Sequence, residues 1–155
     1  MTPSLRVRRA GNFGQDVEEG TVAFVVSVSA TAVAKGGRVA GYMLLIHGRE
    51  ADWDDAKDDE RAEVYEAYGK LVARMQEQGH LIEGDELHRA ADAKVVRVRE
   101  GSVEVIDGPF TETKEQLGGY FLVDCDLDTA LEYAAAIPGA RTGTVEVRPV
   151  VESPS

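Results

Sequence analysis

The sequence predicts an α+β fold in which two β-α-β units flank a hairpin, and three observations carry that expectation. The short apolar runs "GYMLLIH" (41–47) and "YFLVDC" (120–125) read as strands buried on both faces. Each is followed by a stretch with apolar residues at helical spacing. Between them "AKVVRVRE" and "SVEVID" alternate valine with charge, the two-residue period of a hairpin.

Taken in order, strand 41–47 leads into "GREADWDDAKDDERAE", a polar stretch whose acids crowd the start of a helix, where the macrodipole favours them. Asp58 or Asp59 is the expected N-cap. The helix runs from about Glu60 to Gln78, with Val64, Tyr68, Leu71, Val72 and Met75 on one stripe and Gly79 as the stop. "HLIEGDELH" (80–88) reads as a strand with a glycine bend, and the hairpin closes at Glu100-Gly101. In "DGPFTETKEQLGGY" (107–120), Asp107 caps a turn made rigid by Pro109, Thr111 to Leu117 form about one helical turn, and Gly118-Gly119 release the chain into the strand at Tyr120. A second helix follows, capped by Asp126, with Leu127, Leu131 and Ala134 on its inner face and Pro138-Gly139 ending it. "TVEVRPV" (144–150) is the last strand, with Val145 and Val147 opposite Glu146 and Arg148. This order implies a ferredoxin-like βαββαβ sandwich with an added hairpin and helices on one sheet face. The other face, apolar along 41–47 and 120–125, needs a cover, and a second copy of the chain is the economical one: a homodimer with facing sheets.

The 155 residues suit one domain, and 43% hydrophobic with 29% charged residues is ordinary for a globular protein. The net charge of -11 argues against nucleic acid, whose phosphates are bound by clustered Lys and Arg. The charge is uneven: residues 1–40 carry five Lys/Arg against three Asp/Glu, leaving twelve against twenty-five for 41–155. Three domain segments are therefore expected: an N-terminal extension (1–40), the domain proper (41–151) and a tail (152–155). Within the extension, "TVAFVVSVSATAVA" (21–34) is too short to span about 30 Å of hydrocarbon as a helix. It reads as an extra strand, as part of an upstream leader, or as a signal peptide, the last opposed by Asp16, Glu18 and Glu19 ahead of the apolar run. The single cysteine, Cys125, sits between Asp124 and Asp126, which disfavour a thiolate; a buried inert thiol in a reducing cytoplasm is the expectation.

"GYMLLIHG", "AYGKLVARMQEQGHLIEGDEL", "TVEVRPV" and above all "DGPFTETKEQLGGYFLVDCDLDTALEYAAAIPGA" closely resemble the YCII-related proteins of the DGPF type, over about residues 41–151. The resemblance implies a dimeric α+β barrel and small bacterial proteins often encoded beside extracytoplasmic-function sigma factors. In the wider YCII group a His-Asp pair is proposed as catalytic, with the histidine on the first helix. The corresponding "EAYGKL" here holds Tyr68 and no histidine, so that pair is not carried over.

Several residues could carry chemistry. His47 ends the first strand on the face of Met43 and Leu45, where it could act as a general base with a free pKa of about 6.5; a hydrogen-bonded or exposed histidine is the commoner outcome. His80 and His88, also at strand ends, are weaker versions of the same case. Asp85, after Gly84, and Asp107, before Gly108-Pro109, are carboxylates expected near a barrel mouth, where desolvation raises an acid's pKa; Asp107 has the stronger structural alternative, shaping its turn. Tyr68 is core first and a ligand contact second, Phe110 an anchor into the core or a partner subunit, and Lys114 a surface ion-pair partner or lid. No His-x-His, His-x3-His or Cys-x2-Cys spacing anchors a metal, the acid run 50–63 lacks the calcium-loop pattern, and no nucleotide fingerprint is present. Neither metal nor cofactor is expected. Two functions remain open: a cofactor-independent enzyme for proton transfer, isomerisation or elimination on a small molecule, or a non-catalytic dimeric ligand-binding or accessory protein linked to sigma-factor regulation.

Overall fold

The computed structural model describes residues 41–151. Expectations for residues 1–40 and 152–155 lie outside them. The elements are β1 (Tyr42–Gly48), α1 (Glu50–Asp54), α2 (Asp58–Glu77), β2 (Leu81–Glu86), β3 (Lys94–Arg99), β4 (Ser102–Asp107), β5 (Gln116–Val123), α3 (Leu127–Ala136) and β6 (Thr144–Pro149), with short 3-10 turns at Ala90–Asp92 and Pro138–Arg141. Four strands form one sheet in the order β2-β5-β1-β6, every neighbouring pair antiparallel. The order is that of a ferredoxin-like α+β fold, with β3 and β4 inserted as a separate two-stranded sheet.

One face of the large sheet packs under the helices. Leu44, Phe121, Val123 and Leu81 meet Leu71, Val72 and Met75 of α2 and Ala130, Tyr133 and Ala134 of α3, in a core completed by Ile137. Each large side chain buried there stabilises the fold by about 1.5–3 kcal/mol. The α2 stripe is as read from its spacing. On α3 the inner face is not Leu127 and Leu131, which are about half exposed, but Ala130, Tyr133 and Ala134. The small alanines bring the helix close to the sheet while Tyr133 fills the remaining space, an outcome set by the surface it packs on rather than by hydrophobicity alone.

The caps show where local chemistry decided. Asp126 accepts a hydrogen bond from the Thr129 amide at 2.8 Å and caps α3 as expected. The N-cap of α2 is Lys57, not Asp58 or Asp59: the Glu60 carboxylate accepts from the Lys57 amide at 2.9 Å, and the aspartates occupy the first turn. The preceding polar stretch folds into α1. The Arg61 guanidinium donates to the carbonyls of Trp53 (3.0 Å) and Asp54 (3.1 Å) at the end of α1, satisfying acceptors that the short helix leaves open.

The "DGPFTETKEQLGGY" stretch departs most from its reading. No helical turn forms over Thr111 to Leu117; Gln116 and Leu117 already belong to β5 and pair with Gly48 and His47. Gly118 and Gly119 lie inside that strand. A Cβ on Gly119 would stand 3.0 Å from the Asp85 carbonyl, so the glycine permits close approach rather than release of the chain. Gly84 does the same under the Phe121 ring instead of bending β2. A bulge between Ile46 and His47 absorbs the change of register.

Candidate functional site

Because side chains alternate across a strand, the second face of the large sheet is defined by the register alone. Asp85, Tyr120, Leu45 and Glu146 lie side by side across β2, β5, β1 and β6. The next row is Glu83, Leu122, Met43 and Arg148. His47 stands beyond Leu45 on β1, between Leu117 and Thr144. No helix of the described residues packs on this face, and Met43, Leu45 and Leu122 form a half-buried apolar floor between two polar groups.

The first group is built on β1 and β6. The His47 Nε2 atom is shut off from solvent without a hydrogen-bond partner, and the nearest carboxylate oxygen, Glu146 Oε2, is 3.9 Å away, beyond hydrogen-bond length. Arg148 Nε donates to Glu146 Oε1 at 2.7 Å, so Glu146 is held from the side away from His47. The chain reaches this position through Gly143, where a Cβ would collide with the His47 carbonyl. The second group is built on β2 and β5. Tyr120 donates its hydroxyl proton to Glu83 Oε1; that hydrogen bond, then burial and the charges of Glu83 and Asp85, push its phenol pKa up to about 12. Burial and the charge of Glu83 raise the Asp85 carboxyl above the usual range.

Of the residues singled out from the sequence, only His47 and Asp85 share this face. They sit two strand spacings across and two residues along the sheet from one another, about 12 Å, and do not form an acid-base pair by direct contact. Tyr68 lies on the helix side, its ring 6.5 Å from that of Phe121; burial raises its phenol to about 12, against a hydrogen bond with the Gly139 backbone. Asp107 ends β4 and ion-pairs with Lys94 across the hairpin, while the Gly108 amide donates to the Ala93 carbonyl at 2.7 Å. Phe110 is 71% exposed, so it does not plug the core; the Arg97 guanidinium lies 6.0 Å from its ring. Lys114 lines a shallow depression with Arg49, Glu50 and Gln116.

The other histidines and the cysteine have local explanations. His80 Nδ1 is 2.7 Å from the Tyr133 hydroxyl, which also meets Gln78, closing a network at the end of the core. His88 is exposed beside Asp92. Burial raises the Cys125 thiol, with Asp126 and Asp124 adding to the shift, as the sequence implies. Among the described residues no group of three or more His, Cys, Asp or Glu side chains converges as metal ligands, and no helix is long and apolar enough to cross a membrane. The sequence reading passed over Glu83, Tyr120, Glu146 and Arg148. For Glu146 and Arg148 the signal was present in the alternation of "TVEVRPV", but the partners across each strand were not.

Comparison with known proteins adds a family. The YCII-related domain matches residues 40–154. An uncharacterised protein of Rhizobium meliloti (strain 1021) is 35% identical over 112 residues, which cover 70% of this chain and 90% of that protein. The match spans both β-α-β units and the inserted hairpin, and the chain belongs to the YCII-related domain family.

Proposed function

We propose that the protein works as a homodimer, open sheet face against open sheet face, forming an α+β barrel that binds a small organic molecule and moves a proton on it without a cofactor. The observation that carries this reading is the His47 Nε2 atom, occluded yet without a partner, beside an apolar floor and 3.9 Å from Glu146. A neutral imidazole so placed can take a proton from a bound substrate and return it at a neighbouring atom, the Glu146 carboxylate stabilising the imidazolium between the two steps. The net change is an isomerisation, balanced without any oxidant or reductant. Asp85 and Tyr120, across the floor, would orient the far end of the ligand. A cytoplasmic location accords with the single, half-buried Cys125.

Light scattering on the eluting protein tests the dimer, and native mass spectrometry tests for a retained small molecule. The expected result is a dimer whose ligand is lost in His47→Asn with the melting temperature unchanged; a monodisperse monomer would sink the proposal. The separation of about 12 Å between His47 and Asp85 favours a second reading, a ligand-binding or accessory dimer linked to sigma-factor regulation, with no chemistry of its own. Ligand retention that is indifferent to His47→Asn would select it.

A further inference from the structure

The hairpin poses a problem that the large sheet does not. Val96 faces Val105 and Val98 faces Val103 on the same side of the ribbon as the Lys94–Asp107 pair, and these four valines are 57–66% exposed. A two-stranded hairpin is marginal in water unless something packs on an apolar face. Here the other side carries Arg97, Glu104 and the Arg97–Phe110 contact, while nothing among the described residues covers the valines.

We propose that the valine face of the hairpin is a second self-association surface, stacking on the same face of another copy of this chain about a two-fold axis parallel to the strands. The Lys94–Asp107 pair at one end of the patch favours that partner and that axis. On the valine face the charges are Lys94 on β3 and Asp107 on β4, while Arg97, Arg99 and Glu104 lie on the other side of the ribbon. A two-fold axis along the strands lays β3 of one copy over β4 of the other with their ends matched. Val96 then lies over Val105 and Val98 over Val103, and each Lys94 lies over an Asp107 of the other copy, so the apolar patch closes inside two opposite-charge contacts. An axis across the strands, centred on the valines, would leave each Lys94 and Asp107 away from its counterpart in the other copy and forgo these contacts.

The area sets the strength. Valines exposed to this extent present roughly 350 Å² per chain, so two faces bury about 700 Å², short of the roughly 1,200–2,000 Å² of a standard stable interface. The contact is therefore weak and concentration dependent. It joins dimers held by the open sheet face into a tetramer, or monomers into a dimer if that face does not associate.

Sedimentation velocity over a concentration series of the full chain tests this surface. Wild type is expected to show a species that doubles in mass as concentration rises, and Val96→Thr/Val105→Thr, which keeps strand propensity, is expected to weaken that step by about tenfold or more. The charge arm tests the geometry: Lys94→Glu and Asp107→Lys should each abolish the step alone, and an equimolar mixture of the two variants should restore it, because opposite charges then meet only between chains. Absence of the concentration-dependent step in wild type overturns the proposal, as does a mixture that behaves as the sum of its parts. A valine variant that melts earlier with unchanged association also overturns it, placing the cover within the chain. Leu45→Glu, on the open sheet face, separates this reading from the one above: it should remove the tighter association and leave the weak step in place.

Discussion

The two faces of β1 differ by one residue in phase and by everything that covers them. Leu44 is fully buried beneath both helices; Leu45, its neighbour, is half-buried on a face that no helix of the described residues reaches. The strand is equally apolar on both sides, so hydrophobicity alone does not distinguish core from site. What distinguishes them is the company across the strand. Leu44 pairs with Phe121 and Val147, whereas Leu45 pairs with Tyr120 and Glu146.

The largest expected effect breaks the comparison directly. Leu44→Ala should lose about 2–5 kcal/mol of unfolding free energy in chemical denaturation, the range for a buried leucine that leaves a cavity. Leu45→Ala should lose clearly less in dilute solution, because its side chain is already partly in water. Its loss should grow with protein concentration, because the residue then matters through association. Equal, concentration-independent losses would erase the distinction between the faces.

Gly143→Ala sharpens it. The added Cβ would collide with the His47 carbonyl, and relief requires the start of β6 to move. A loss of about 1–3 kcal/mol is expected, together with a changed His47 imidazole signal in nitrogen-edited NMR spectra. An unchanged signal would mean that the His47 environment does not depend on this close approach.

Smaller effects follow at the core edge and at the open rim. Tyr133→Phe removes the hydroxyl shared by His80 and Gln78 and should cost about 1 kcal/mol, read from the denaturation midpoint. Asp85 should give the smallest change and the opposite sign. Burial and Glu83 raise its folded pKa, so the ionised carboxylate disfavours the folded state and stability rises as pH falls through that raised value. Asp85→Asn should therefore raise the melting temperature slightly near pH 7. The gain should vanish below about pH 3, where the carboxyl is protonated in both states. A loss at neutral pH would show that the carboxylate makes a favourable contact on this face.

Much of the fold was legible because it is written in local periods. The α2 stripe, the Asp126 cap and the hairpin closing at Glu100-Gly101 follow from spacing and turn chemistry within a few residues. The misread elements depend on partners far along the chain. Gly118 and Gly119 look like a stop until β1 and β2 close on them, and Leu127 and Leu131 look like an inner face until the sheet admits alanine there. Of the candidate residues, Tyr68 lies on the α2 stripe against the core, as its spacing reads, whereas the exposed ion pair of Asp107 with Lys94 depends on the hairpin register.

By itself, the sequence determined the six strands and the two longer helices in their order, the family they belong to and the apolar character of both sides of β1 and β5, because those properties reside in short stretches of chain. Only the tertiary structure decided which side of each strand faces the helices. It also brought Glu146 to His47 and Tyr120 to Glu83, and left the hairpin valines without cover among the described residues. These are consequences of cross-strand register and close backbone approach. Both are fixed by contacts between residues tens of positions apart, where a two-residue period carries no information about the partner.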